Sequence, residues 1–299
     1  MIALWLRRVL AAFAVVALAQ YFGPHPLAGA LGVIGLFLAL NTGIVAASFA
    51  VSWRHAGMPA GPSSGLFTDV VTFLREWLAY LIVFVVIQPF ERQWMRDDSL
   101  TRVSPESVPL LLIHGYMCNR GAWWWLGSRL RANGFAVTTT NLEPPFASID
   151  RLADELHIRI ETLCATLGSH QLALVAHSMG GLVARAYLRK YGSARVAKLL
   201  TLATPHQGTR VASYGFGTCA REMEPDSAWI KSLRSSKPGV PMLCLWSSAD
   251  NFIAPQVNGR IESVPDKMVP ALGHLTELFS SRVLNILLSE LAHGRDHQR

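Results

Sequence analysis

The chain falls into two hydropathy regimes. Up to about residue 90 the apolar positions run on without a period, in three stretches: Val9 to Phe22, Leu27 to Val51 and Leu66 to Phe90. From Val108 the pattern changes to short apolar runs that alternate with longer segments whose apolar residues recur at helical spacing. This second pattern predicts strands over 108–113, 135–140, 171–176, 196–203 and 242–246, and helices over 121–132, 148–167, 179–191 and 276–292. Residues 148–167 are the clearest case, with Ile149, Leu152, Leu156, Ile160 and Leu163 on one face. Strands separated by helices imply an α/β fold with a mostly parallel sheet covered on both sides. Ligands on such sheets bind beyond the carboxyl ends of the strands.

The front of the chain predicts a membrane region over 1–95, with helices at about 9–22, 27–51 and 66–90. Leu27 to Val51 has no charged side chain; as a helix it would be about 37 Å long, enough to cross a bilayer core of about 30 Å. The first stretch follows Arg7-Arg8 and contains Ala17-Leu18-Ala19, so a cleaved signal peptide competes with a spanning helix there. The third carries Asp69, Arg75 and Glu76 in its first half, so a helix lying in the interface competes with one that crosses. Arg7-Arg8 favours a cytoplasmic N-terminus, the turn at 23–26 has no Lys or Arg, and Arg54 marks a return to the cytoplasm. If the third stretch crosses, the globular domain at 105–295 lies on the periplasmic side of a bacterial cytoplasmic membrane; if it lies flat, the domain is cytoplasmic. Pro59 to Ser64 reads as a loop between helices.

Charge sharpens this boundary. Residues 1 to 68 hold no acid and only three basic side chains, Arg7, Arg8 and Arg54. The net charge of +7 is scattered, without a Lys/Arg run of the kind that tracks a phosphate backbone, so nucleic acid is not an expected partner. Attraction to anionic lipid headgroups is the simpler consequence. The four cysteines show neither C-x-x-C nor zinc spacing; Cys164 and Cys244 fall in apolar runs, and a Cys118–Cys219 bridge is left open.

The chemistry centres on Ala176-His-Ser-Met-Gly-Gly181, directly after an apolar run. A strand that ends in His-Ser-x-Gly and opens into a helix marks a nucleophile elbow, with Ser178 as nucleophile. Asp250, straight after the strand ending at Trp246 and its Ser-Ser-Ala extension, is placed to be the acid; His274, on a loop before the last helix, is placed to be the base. Rival readings are a turn-forming Asp250 and a capping or core His274. His206 competes as base but follows the elbow too soon and reads as part of the pocket floor. His177 is expected to point away from the cleft. Glu224 and Asp226 are weaker acids, being in a loop-rich insertion. An oxyanion hole needs two backbone donors: the N–H of Met179, after the nucleophile, and the N–H of Tyr116 in the turn Ile113-His-Gly-Tyr-Met-Cys118, where Gly115 permits a tight turn.

His114-Gly-Tyr116, Ala176-His-Ser-Met-Gly-Gly181, Leu202-Ala-Thr-Pro-His-Gln-Gly-Thr209, Ser248-Ala-Asp250 and Gly273-His274 together resemble the α/β-hydrolase superfamily, in particular compact bacterial serine lipases and esterases, over about residues 105–292. In that family the acid and base follow the serine in the order found here. One departure is Ala176, where the general motif has glycine. The resemblance implies an access-gating segment at about 209–239, which contains Tyr214, Phe216, Met223, Trp229 and Ile230; an ordinary connecting helix pair is the alternative. Trp123-Trp124-Trp125 lines an acyl pocket, meets lipid or belongs to the core. The expected function is a membrane-anchored serine hydrolase acting on lipid-like carboxylic esters, with no metal or organic cofactor. An acyl thioesterase, amidase or acyltransferase with the same triad, or a non-catalytic membrane scaffold, are the alternatives.

Overall fold

In the computed structural model of the chain, the described residues are all but 23–25, 57–64, 96, 99–107, 237 and 297–299. The expected turn at 23–26, the loop at 59–64 and the start of the domain at 105 therefore lie wholly or partly outside them.

Three apolar helices lead the chain. Helix α1 covers Ile2–Tyr21 and α2 covers Pro26–Arg54 without a break. Pro26 opens α2 at the one helical position where its missing N–H does no harm. Helix α3 covers Leu66–Leu81, and the chain continues through a π-helical turn at Ile82–Ile87 and a 3-10 turn at Gln88–Phe90 into the short helix α4, Glu91–Trp94. Pro89 accounts for the break in regularity, because its ring removes a donor and crowds the carbonyl four residues earlier. By length and composition, 2–21, 27–54 and 66–94 are each sufficient to cross a membrane. On the third, Thr72, Glu76, Ala79, Val83 and Ile87 recur at helical spacing and face protein, whereas Leu74 and Leu78 face outward; α2 buries a similar stripe toward its end, Asn41, Val45, Ser48, Phe49 and Ser52.

The globular part is a six-stranded, all-parallel sheet in the order β2-β1-β3-β4-β5-β6. The strands are β1 (Leu110–Ile113), β2 (Val137–Thr140), β3 (Leu172–His177), β4 (Val196–Leu202), β5 (Met242–Trp246) and β6 (Asp266–Met268). Five were expected from their apolar runs. The sixth has only three residues, two of them exposed, and carries no apolar run to read. Between strands lie α5 (Trp124–Ala132), α6 (Ile149–Leu167) and α7 (Met179–Tyr191); α8 (Gly217–Glu222) and α9 (Ala228–Arg234) interrupt the β4–β5 connection, and α10 (Ser281–Asp296) closes the domain.

Strand alternation sorts the core into two layers. Leu111, Ile113, Leu174 and Ala176 pack on α6 and α7 through Leu152, Leu156, Ile160, Leu182 and Val183. Leu110, Leu112, Ala173 and Val175 face the other way, onto Leu126 and Leu130 of α5 and Val283 and Leu287 of α10. Each such side chain contributes about 1.5–3 kcal/mol on leaving water. Ala79 and Val83 join this second layer, so the third apolar segment is part of the domain core rather than a detached tether. Helix α6 begins where the Ser148 side chain accepts from the Arg151 amide and ends at Gly168 in the left-handed region. Asp98 ties the linker to the sheet edge, accepting from the Thr139 amide and hydroxyl and pairing with Arg159 at 2.8 Å.

Candidate active site

Ser178 sits between the end of β3 and the start of α7, with φ 56° and ψ −131°. For a residue with a side chain this is a strained conformation, costing about 1–3 kcal/mol, that persists only where its surroundings enforce it. Here the Ser178 amide donates to the Leu202 carbonyl at 2.9 Å, and its carbonyl accepts from the Gly181 amide at 3.0 Å. The turn after β1 comes against the serine so closely that a Cβ on residue 115 would lie 2.6 Å from the Ser178 Cβ. Only glycine fits there. Met179 is the first residue of α7, where an amide has no acceptor within the helix.

The β1 turn is held by His114. Its Nδ1 lies 2.9 Å from the Gly115 carbonyl and its Nε2 3.0 Å from the Leu142 amide. One neutral tautomer satisfies both contacts, with Nδ1–H donating and Nε2 accepting. Burial pushes the His114 pKa down to about 4, which keeps that tautomer neutral. Tyr116, next in the turn, uses its phenol to bridge to the β4–β5 insertion: it donates to the Phe216 carbonyl at 2.9 Å and accepts from the Phe216 amide at 2.7 Å.

Asp250 and His274 are brought together. His274 Nδ1 is 3.0 Å and 3.1 Å from the two carboxylate oxygens, and both residues are buried. Asp250 Oδ1 also accepts from the Phe252 and Ile253 amides at 2.7 and 2.9 Å, an arrangement that sets the carboxylate. With Asp250 as acceptor, the His274 hydrogen lies on Nδ1 and the Nε2 lone pair is free to act as a base. Burial lowers the His274 pKa, but the charge and hydrogen bond of Asp250, with a smaller push from Glu76, outweigh it and leave the pKa above the ordinary 6.5. No hydrogen bond joins Ser178 Oγ to His274 among the described residues; in unliganded enzymes this contact is often long.

His177 is buried in the core, with its ring 4.7 Å from that of His274 and its Nε2 3.1 Å from the His274 carbonyl. Burial, then the nearby His274, holds its pKa well below 6.5, so the neutral ring donates to that carbonyl. His206 is buried against Thr201, at 3.0 Å, and Arg185, at 3.5 Å. Asp226 is an exposed partner of Arg210. Trp123 is fully buried and edge-on to His177, whereas Trp124 and Trp125 are only partly buried. All four cysteines are free and buried, so Cys118 and Cys219 form no bridge.

The loops of Asp250 and His274 are also gripped by residues that the sequence reading did not place there. From α2, Ser52 Oγ donates to the Asp250 carbonyl at 2.8 Å, and Ser48 Oγ accepts from Asn251 Nδ2 at 2.7 Å. The Asn251 side-chain oxygen accepts from the His274 amide at 3.0 Å. From α3, the Glu76 carboxyl group accepts from the Leu275 amide at 2.8 Å, the Thr276 amide at 2.9 Å and the Thr276 hydroxyl at 2.7 Å. An acid within an apolar stretch was the visible signal for this. Among the described residues neither carboxyl oxygen of the fully buried Glu277 has a hydrogen-bond partner; burial, then Asp250 and Glu76, raises its pKa well above 4.5. Among the described residues no cluster of His, Cys, Asp or Glu could hold a metal ion. A hollow of about 620 Å³ lined by Lys198, Pro241, Asp266 and Glu290 contains none of the site residues.

Residues 108–218 match the family model of the alpha/beta hydrolase fold. Triacylglycerol lipase 2 of Saccharomyces cerevisiae is 34% identical over 102 residues, 30% of this chain and 30% of that protein. A triacylglycerol lipase of Burkholderia plantarii is 30% identical over 115 residues, 36% of this chain and 32% of that protein. The chain thus spans about a third of the length of these curated relatives. Among solved structures, Bacillus licheniformis lipase BlEst2 in mature form superposes with a TM-score of 0.56 at 15% identity, covering 66% of this chain and 96% of its own. Aspergillus fumigatus lipase B gives 0.55 at 16% identity, covering 62% and 53%. At these identities the likeness to solved structures is one of fold.

Proposed function

From the α/β-hydrolase fold of its globular part, we propose that the protein is a membrane-anchored serine hydrolase that cleaves lipid-like carboxylic esters. The observation that carries this reading is the buried Asp250–His274 pair, at 3.0 Å, packed against His177, the residue before a strained serine at the carboxyl end of β3. In the proposed reaction His274 Nε2 takes the Ser178 proton as Oγ attacks the ester carbonyl. Asp250 holds the imidazole in its tautomer and stabilises the cation that forms. The Tyr116 and Met179 amides receive the oxyanion, each such donor being worth about 3 kcal/mol in the transition state. The alcohol leaves with the proton from His274, and water then releases the acid by the reverse path.

Lipid-like esters are the proposed substrates for two reasons. The curated relatives named above are triacylglycerol lipases, and the β4–β5 insertion exposes Tyr214 and Phe216. The apolar helices supply the anchor, and the Lys/Arg asymmetry of the front favours a cytoplasmic N-terminus; because Ser48 and Ser52, near the Arg54 end of α2, touch the Asp250 loop, the contacts support the alternative with the domain on the cytoplasmic side. The test is labelling of the full-length protein in membranes with a fluorophosphonate. Wild type is expected to label and Ser178→Ala to lose all label; label that persists in Ser178→Ala refutes the assignment. Matched oxygen ester, thioester and amide substrates then separate this reading from thioesterase or amidase activity, and oxygen-ester turnover is expected to dominate.

A further inference from the structure

Glu76 is an unusual residue for its position. It lies one-third of the way along an apolar segment long enough to span a membrane, yet its side chain is wholly buried in protein. An ionisable group in such a segment is costly unless it is satisfied, and in general marks a function. Here three donors satisfy it, all from Leu275 and Thr276, the two residues that follow His274. The fit is close on the other side too: a Cβ on residue 273 would run into the Glu76 carboxyl group, so a larger residue immediately before the histidine would displace that side chain. The domain holds the same loop through Asp250 on the His274 ring, Asn251 on the His274 amide, His177 on the His274 carbonyl and Ser247 on Leu272. Asn251 is in turn held by Ser48 of α2.

We propose that Glu76 is a positioning residue for the hydrolytic reaction: from the third apolar segment it fixes the loop that presents His274 to Asp250 and Ser178. The membrane region thereby completes the active site as well as anchoring it. This rests on the serine-hydrolase reading above. Glu76 touches neither Ser178 nor the reacting atoms, and it acts through the backbone of residues 275 and 276. The charged and titratable groups that face His274 are Asp250 from the loop after β5, Glu76 from α3 and His177 from β3; Glu277, from the turn before α10, faces Asp250 and Glu76.

The test compares wild type, Glu76→Gln, Thr276→Val and Leu74→Ala in the full-length, membrane-embedded chain, with kcat expressed per fluorophosphonate-titrated site. Glu76→Gln keeps the shape but offers one acceptor where there were two and points an amide donor at donors. Its kcat is expected to fall about tenfold or more with KM within about twofold, the signature of misplaced chemistry rather than lost binding. Its acid limb is expected to move to lower pH, because a loosened loop weakens the contact of His274 with Asp250. Thr276→Val removes one donor of three and should show the same pattern, smaller, even where Glu76→Gln yields little folded protein. Leu74→Ala, on the outward face of the same helix, should match wild type. Wild-type kcat and acid limb in both Glu76→Gln and Thr276→Val, or a loss of folded yield alone, overturn the proposal. If wild type itself does not label, the serine-hydrolase reading fails and takes this proposal with it.

Discussion

At the residue scale the site is a set of protonation states imposed by surroundings. His114 and His177 are both buried and neutral, each donating to a carbonyl of a loop that matters: Gly115 beside Ser178, and His274 itself. His274 goes the other way because a carboxylate faces it. The sign is direct: only the neutral imidazole can take a proton, so activity is lost as pH falls through the His274 pKa, and that pKa lies above 6.5. The acid limb of kcat/KM is therefore expected above pH 6.5. Asp250→Asn should shift the limb downward and lower kcat on the order of 10³–10⁴-fold, as the tautomer is no longer held. A pH–rate series on both proteins reads the two effects together.

At the element scale the β4–β5 insertion is latched to the turn that presents Tyr116. The phenol both donates to and accepts from Phe216, while Tyr214 and Phe216 themselves stand in the open. Removing two hydrogen bonds worth about 1 kcal/mol each should increase the opening of this segment about tenfold or more. Tyr116→Phe is expected to be cut faster by protease near residues 214–216, with its backbone amide left in place. An unchanged cleavage rate would mean that the latch does not hold the segment.

Much of this was legible from local pattern. Ser178, Asp250 and His274 stand at strand ends and on a loop that apolar runs define, and α6 carries a full set of buried residues at helical spacing. The grips on the loops were not legible, because Glu76 is separated from Leu275 by 199 positions and Ser48 from Asn251 by 203. No periodicity links positions so far apart; only the packing of α2 and α3 against the domain creates the contacts. The two competing readings of the third stretch, spanning or amphipathic, also meet in one object: an outer face of Leu74 and Leu78 and a buried stripe through Val83.

At the scale of the whole molecule the apolar helices and the α/β domain share one core. A chain shortened to begin at residue 108 loses the Ala79 and Val83 surface from the second core layer, together with every contact that Ser48, Ser52 and Glu76 make to the acid and base loops. Such a chain is expected to be poorly soluble and not to label with fluorophosphonate, whereas the full chain in detergent labels. Soluble, fully labelled protein from the shortened chain would show that the domain is self-sufficient.

Gln88 has a wider meaning in this light. Just past the π-helical turn, it accepts from the Asn119 amide at 2.6 Å and its own carbonyl accepts from Asn119 Nδ2 at 2.9 Å. The same segment that grips the histidine loop at Glu76 thus also braces the chain just after the Gly115 turn, at Asn119. Two such grips on one rod are in register only for one spacing between them. Deleting or inserting a single residue between positions 76 and 88 would turn one side chain about 100° away while the other stayed in place. This stretch should therefore tolerate exchange of one apolar side chain for another across lineages but not a change in length, and fusing the hydrolase to a borrowed anchor would yield a tethered but idle enzyme.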